Sequence, residues 1–262
     1  MALVDFEQDG DLAILTINNP PVNAFSHQLG AEMLAHVQNI AESDARALLT
    51  RSSGVNFCAG ADVNIFVGLT HRTGAGLVTT GLNMIEMLEA LPIPTVVSVN
   101  GMCVAAGLEI LLAHDIAIVG ESAQLGQIES KIGTTTLAGG AQRIAARAGV
   151  ARAKQMVFEG NPYPAKTMLE WGLVNQVIPD AELEARSLEY AQKLASSATA
   201  AHAVTKSVVN AYGRSGIAAA DEALRAGAPK LFETDDKKRS VSTFLEKGPM
   251  CLFDGSLTYQ GR

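Results

Sequence analysis

Short β-branched runs alternate along this chain with longer stretches at helical spacing, and that alternation limits the fold more than any other feature. Leu12–Ile17 is rich in strand formers and stops at Asn18-Asn19-Pro20-Pro21. Ser26 then reads as an N-cap, and Leu29, Met33, Val37 and Ile40 follow at helical spacing. Residues 47–50 read as a short buried strand closed by Ser52-Ser53-Gly54. A helix over about residues 77–91 meets Pro92 and Pro94, and a β-branched strand at Thr95–Val99 turns at Asn100-Gly101. Residues 105–114 read as a helix, 116–119 as a strand, 122–127 as loop or short strand, and 133–140 as a loop rich in Thr and Gly. From Ala141 onward the pattern is helical except for a short strand at 173–178. Such alternation predicts α/β layers. The shift near Ala195 predicts a core over residues 1–195 and a helical region over 196–262.

The composition narrows the function classes. A net charge of −7 and the lack of Lys/Arg blocks give no footprint for nucleic acid. Any phosphates on a ligand must therefore be met locally. Three cysteines, Cys58, Cys103 and Cys251, form neither a disulfide framework nor a zinc pattern, which fits a reducing cytoplasm. Residues 1–11 read as neither a secretory signal nor a transit peptide, and no uninterrupted apolar run is long enough for a membrane span.

Three segments could carry chemistry. The small-residue loop 58–62 lets a ligand approach the backbone, although an ordinary tight turn looks the same in sequence. Val96-Val97-Ser98-Val99-Asn100-Gly101 leads into Ala105-Ala106-Gly107-Leu108-Glu109, a strand, a short loop and a helix opening with small residues. The first N–H groups of a helix have no internal partners and suit a negative oxygen. Glu109 falls in that first turn, where it also simply favours the helix dipole. Glu129, in Gln127-Ile128-Glu129, is a carboxylate in an otherwise apolar, glycine-rich stretch. His114-Asp115 lacks a Gly-x-Ser-x-Gly elbow and reads as a helix end and strand start. Gly139-Gly140 matches no phosphate-loop or dinucleotide fingerprint.

In order along the chain, Asn19-Pro20-Pro21-Val22-Asn23-Ala24-Phe25, Phe57-Cys58-Ala59-Gly60-Ala61-Asp62, Ala106-Gly107-Leu108-Glu109, Gln124-Leu125-Gly126-Gln127-Ile128-Glu129, Gly139-Gly140-Ala141-Gln142-Arg143 and Trp171-Gly172-Leu173-Val174 resemble the crotonase (enoyl-CoA hydratase/isomerase) family. The resemblance covers nearly the whole chain. It implies an α/β spiral of strand–strand–helix turns with a C-terminal helical region that packs trimers, often paired as hexamers. It implies an acyl-CoA substrate, with the backbone N–H groups of Ala61 and Ala106 as an oxyanion hole. Ala24, Ala59, Ala61, Asp62, Val63, Asn64 and Ala106 would line the substrate and coenzyme A path. Glu109 and Glu129 fall on the family's two catalytic glutamate positions, with its separation, 129 − 109 = 20.

Keeping both acids is a hydratase trait within that family, and water addition needs no metal or redox cofactor. Two N–H donors on the thioester carbonyl would draw electron density from the β-carbon. Glu109 would activate water and Glu129 would protonate the α-carbon, the pair titrating as a coupled unit. A double-bond isomerase, which needs only Glu129, and a specialised hydroxyacyl-CoA dehydratase are the alternatives within the family. A non-catalytic acyl-CoA or RNA binder is the alternative from another class. The chain also departs from the family pattern. Asn64 stands where Lys is frequent, Ile128 where Pro is frequent, and Thr134-Thr135-Thr136-Leu137 where Pro and Gly are frequent. The threonines predict a polar acyl pocket.

Overall fold

The computed structural model describes residues 2–261. Strands β1 (Val4–Asp9), β2 (Leu12–Ile17), β3 (Ala47–Ser52), β4 (Thr95–Val99), β6 (Ile116–Gly120) and β9 (Gln176–Ile178) form one sheet in the order β1-β2-β3-β4-β6-β9. Only the β1–β2 pair is antiparallel. A smaller sheet joins β5 (Met102–Val104), β7 (Gln124–Gly126) and β8 (Tyr163–Pro164).

Alternating side chains serve two cores, as strand geometry requires. Leu12, Ile14, Leu49, Val96 and Ile118 pack with Leu183, Ala191 and Ala195 of helix α7 (Leu183–Ala195). Leu15, Ile17, Leu48, Val97 and Val99 join the other core. Its helices include α1 (His27–Glu42), α2 (His71–Ala90) and α3 (Ala106–Leu112). The Ser26 N-cap is present, its side chain accepting from Leu29 N–H at 3.2 Å, and Leu29, Met33, Val37 and Ile40 are the buried residues of α1.

Helices α4 (Gly140–Ala148), α5 (Val150–Glu159) and α6 (Ala165–Glu170) follow the loop after Glu129. Long α8 (Thr199–Leu231) breaks at Gly216 (φ +78°), and α9 (Asp235–Lys247) follows. Lys206 on α8 pairs with Asp115 at 2.9 Å and donates to the Ile93 carbonyl. Arg46 reaches the Ser197 and Tyr259 carbonyls and so ties the C-terminal segment to the core.

Several elements differ from the sequence reading. Strand β1 was not expected, because only Val4 is buried on this edge strand and no alternation survives. Helix α2 begins at His71 rather than near 77, its first turns carrying Gly74, Gly76 and three threonines but no buried residue. Strand β5 occupies part of the expected loop after Gly101, and β9 is shorter than residues 173–178.

One close approach positions everything that follows. Cys58 and Cys103 form a parallel bridge, Val104 N–H donates to the Cys58 carbonyl at 3.0 Å, and Gly107 lies directly against Cys58. A Cβ at Gly107 would stand 2.7 Å from the Cys58 oxygen and 2.9 Å from its Cβ. Helix propensity alone favours Gly107→Ala by about 1 kcal/mol. The contact reverses that sign, and the variant is expected to lose about 1–3 kcal/mol through overpacking. A urea unfolding midpoint below the parent's is the expected result; a higher midpoint would contradict the contact.

Candidate active site

Residues 58–62 and the start of α3 meet through the Gly107 contact, and Gly60 lies against Ala105. Ala61 and Ala106 are the next residue of each segment, so their peptide groups flank the same contact. Among the described residues neither N–H has a hydrogen-bond acceptor. For Ala106 this follows from its place as the first residue of α3. Ala105, the N-cap, has φ +51° and ψ −120°, a conformation an alanine adopts only under constraint.

One turn further on, Glu109 is buried, and its Oε1 accepts from Ala138 N–H at 2.8 Å and from Gly140 N–H at 2.9 Å. The carboxyl therefore caps the N-terminus of α4. Gly140 is required there because a Cβ would run into the Gln127 amide and come within 3.1 Å of Glu109 Cγ. Burial pushes the Glu109 carboxyl up from 4.5 to about 7; the two N–H donors and Arg143 oppose that rise, while Glu129 adds to it.

Glu129 opens a 3-10 turn (Glu129–Ile132) rather than lying in open loop, and it too is buried. Gln127 is fully buried, and the donor–acceptor pattern assigns its amide nitrogen to Glu129, at 2.7 Å from Oε1 and 3.0 Å from Oε2. Burial raises the Glu129 carboxyl, against the lowering effect of the Ile128 and Glu129 backbone. The structure thus brings both glutamates to one place, with Gln127 packed between them.

The remaining predicted residues lie along the 58–64 segment. Ala59 N–H donates to the Val22 carbonyl and Phe25 N–H to the Gly60 carbonyl, while the Ala24 carbonyl accepts from Asn19 Nδ2. The two loops therefore run side by side, knitted by buried Asn23, which reaches the Ser53 and Asn56 carbonyls. Asp62 caps a 3-10 turn (Val63–Phe66) and holds Asn64 through both its backbone and side-chain nitrogens. Val63 and Asn64 are exposed.

Sequence reasoning missed Gln127, the Ala138 and Gly140 N–H groups, and the Arg143–Glu89 pair. That ion pair is bidentate, with both contacts at 2.7 Å, and Arg143 also donates to the Gly139 carbonyl. It steadies the peptide run that holds Glu109. No local pattern signals a role that depends on packing between distant segments. His114, as expected, only joins α3 to β6: it is buried between the Ile110 carbonyl and Thr50, and burial pushes it down to about 4.

A cavity of about 320 Å³ is lined by Phe66, Leu69, Leu77, Val78, Ile132 and Leu137, with Thr134 and Gly74; neither glutamate lines it, although Ile132 and Thr134 follow Glu129 closely in the chain. Of the three threonines, Thr134 lines this cavity. Thr136 turns its hydroxyl to accept from Ala141 N–H at 3.1 Å, and Thr135 does not line the cavity.

Two raised carboxyls close to two free peptide N–H groups define a protein suited to acid–base work on a carbonyl compound. The chain belongs to the enoyl-CoA hydratase/isomerase family, whose sequence profile matches residues 7–254. It is 32% identical to a short-chain-enoyl-CoA hydratase of Clostridium acetobutylicum over 93% of this chain and 95% of that one. A crotonyl-CoA hydratase of Syntrophomonas wolfei is 29% identical over 92% and 94%. The crystal structure of an enoyl-CoA hydratase from Bacillus anthracis superimposes with a TM-score of 0.88, at 28% identity over 99% of this chain and 100% of that one.

The raised Glu109 carboxyl has a consequence for stability. Its folded value, about 7, exceeds the ordinary 4.5, so the neutral form favours the folded chain. That contribution is fully present below 4.5 and is lost as pH rises through about 7, amounting to about 3 kcal/mol across the window. Glu109→Gln keeps an acceptor for the two N–H groups without the charge. It is expected to raise the urea midpoint at pH 8 and to give a much smaller gain at pH 5. Equal gains at both would contradict a buried charge.

Proposed function

We propose that the protein is an enoyl-CoA hydratase that adds water across the double bond of 2-enoyl-CoA thioesters. The observation that carries this reading is the meeting of two buried, raised carboxyls, Glu109 and Glu129, beside the unpaired N–H groups of Ala61 and Ala106. The thioester carbonyl accepts from both N–H groups, which stabilises the enolate-like transition state; one such donor contributes about 3–4 kcal/mol in comparable sites. Glu109, fixed through Oε1 by two N–H groups, keeps Oε2 for water and takes its proton as the oxygen attacks the β-carbon. Glu129 delivers a proton to the α-carbon. Burial raises the Glu129 carboxyl and so favours the acid form it needs for this role.

The coenzyme A moiety runs along Ala24, Ala59, Asp62, Val63 and Asn64, past the oxyanion pair. Hydration passes no electrons to an acceptor, so the proposal assigns no redox cofactor, and the two carboxyls with the two N–H donors account for each proton and the carbonyl charge, so it assigns no metal. The enzyme acts in the cytoplasm, a reading supported by three free cysteines. No helix among the described residues is long and apolar enough to cross a membrane.

Purified protein with crotonyl-CoA should show loss of the conjugated thioester absorbance. Glu109→Gln and Glu129→Gln should each lower kcat by about 10²–10⁴-fold. Loss in Glu129→Gln alone, with turnover of a 3-enoyl-CoA, would replace hydration by double-bond isomerisation.

The proposal includes a homotrimer or a pair of trimers. Ile217 (70% exposed), Phe232 (65%), Leu245 (79%) and Phe253 (81%) leave apolar side chains open along the C-terminal region, where subunits would pack. Light scattering coupled to size exclusion should return three or six times the chain mass; a monomer would reject it.

A further inference from the structure

We infer that Glu89 is a positioning residue for the reaction: its carboxylate holds the Arg143 guanidinium away from Glu109, and so leaves Glu109 free to take a proton from water and give it up again. This rests on the hydratase reading above and adds a residue that acts through Arg143. Helix α2 meets the segment 138–143 at two points. Near its middle, Gly81 lies against Ala138, and a Cβ there would stand 3.2 Å from the Ala138 Cβ. In its last turn, Glu89 binds Arg143 through both carboxylate oxygens. The pair is largely withdrawn from water, with 15% of the Arg143 side chain and 21% of the Glu89 side chain exposed, so solvent screens it weakly. Asn210 of α8 donates to the Glu89 carbonyl at 3.1 Å, so the C-terminal region helps to place it.

Arg143 stands one residue from the Glu109 contact. Its Nη1 donates to the Gly139 carbonyl at 3.2 Å, a Cβ at Gly139 would run into the same guanidinium, and the next residue, Gly140, gives its N–H to Glu109. Of the charged groups around Glu109, Glu129 of the 3-10 turn opposes its ionisation and Arg143 of α4 favours it. Behind Arg143, Glu89 faces Arg214 of α8 at 3.8 Å and Arg147 of α4, which is itself bound to the Leu112 and His114 carbonyls. Farther along, Asp115 is paired with Lys206. The Glu89 charge is thus set among three guanidinium groups. Without it Arg143 loses its fixed partner, while Glu109, bound only through Oε1, offers Oε2 in its place. A carboxylate in direct contact with a guanidinium stays ionised and is a weaker base.

The test follows kcat/KM for crotonyl-CoA against pH in the parent, Glu89→Gln, Glu89→Asp and Arg143→Met. Glu109 must be ionised to act as the base, so activity falls on the acid side as the coupled pair takes up a proton. Glu89→Gln keeps the shape without the charge and should move that acid limb down by about one pH unit or more. Arg143→Met removes the cation and should move it up. Glu89→Asp keeps the charge and should return the limb toward the parent's. KM should stay within about threefold throughout, since neither residue meets substrate. Opposite displacements support the inference, because a merely structural loss lowers activity without changing sign between the two halves of one ion pair. Unmoved limbs, or limbs moved the same way, overturn it. If Glu89→Gln does not fold, Arg143→Met decides, and an unmoved limb there overturns the inference. A second readout needs no turnover. Glu109→Gln should raise the urea midpoint at pH 8 by less in the Glu89→Gln background than in the parent, because a Glu109 paired with Arg143 costs the fold less as a buried charge. An equal gain in both backgrounds overturns the inference. A parent that does not hydrate crotonyl-CoA fails the hydratase reading, and the midpoint comparison then still decides whether Glu89 keeps Arg143 from Glu109.

Discussion

The seam between residues 58–61 and the opening of α3 holds the site together. A single bridge, Cys58 with Cys103, sets the two backbones side by side, and Gly107 lets α3 begin almost in contact with the Cys58 peptide. From that one approach follow the placement of the Ala61 and Ala106 N–H groups and the direction of α3, which carries Glu109 inward. The seam requires Ala105 to adopt φ +51°, a strained state for alanine that costs on the order of 1–3 kcal/mol. Two hydrogen bonds hold it there: Ala105 N–H donates to the Gly126 carbonyl at 2.9 Å, and its own carbonyl accepts from Glu109 N–H at 3.0 Å. Gly126 is followed by Gln127, so the bond that secures the strained residue also anchors the segment leading to Glu129.

Electrostatics then divides between cost and control. Two carboxyls brought out of water repel each other and resist ionisation. The structure answers with neutral donors, peptide N–H groups on Glu109 and an amide on Glu129, and keeps the nearest cation, Arg143, bound to Glu89 instead. A guanidinium placed directly on Glu109 would hold it ionised far below neutrality. Held one step away, Arg143 tempers the rise, and the carboxyl settles near 7, where it can take and release a proton at working pH.

Much of this was legible in the chain, for identifiable reasons. The parallel strands β2, β3, β4 and β6 read clearly because they are buried on both faces and their sequences are almost wholly apolar or β-branched. Glu129 stood out as a carboxylate in an apolar, glycine-rich stretch and Glu109 by its place in the first turn of a helix opening with small residues, while only the family resemblance implied that the two form a pair. Strand β1 was hidden because an edge strand with one buried residue has no pattern to read. Gln127 was hidden for a different reason: its partner lies two residues away in sequence, but its burial comes from Gly140, on another helix. The threonines of 134–136 take separate places that composition does not distinguish: Thr134 lines the cavity and the Thr136 hydroxyl satisfies the start of α4.

Helix α2 separates two tasks along its own length. Its second half buries Met84, Ile85 and Leu88 in the core, and Glu89 holds Arg143, so this half is bound to the catalytic frame. Its first half buries nothing and is held by a capping box between Thr70 and Thr73. Low local burial makes that half the part of the site that can move or change at little cost to the whole fold. The apolar cavity is bordered on one side by this half, through Gly74, Leu77 and Val78, whereas Ala106 and Glu109 lie on α3, which is buried almost throughout. The cavity wall and the buried carboxyl of Glu109 thus rest on elements of unequal burial, so a change in the first half of α2 disturbs the frame around Glu109 less than a change in α3 would.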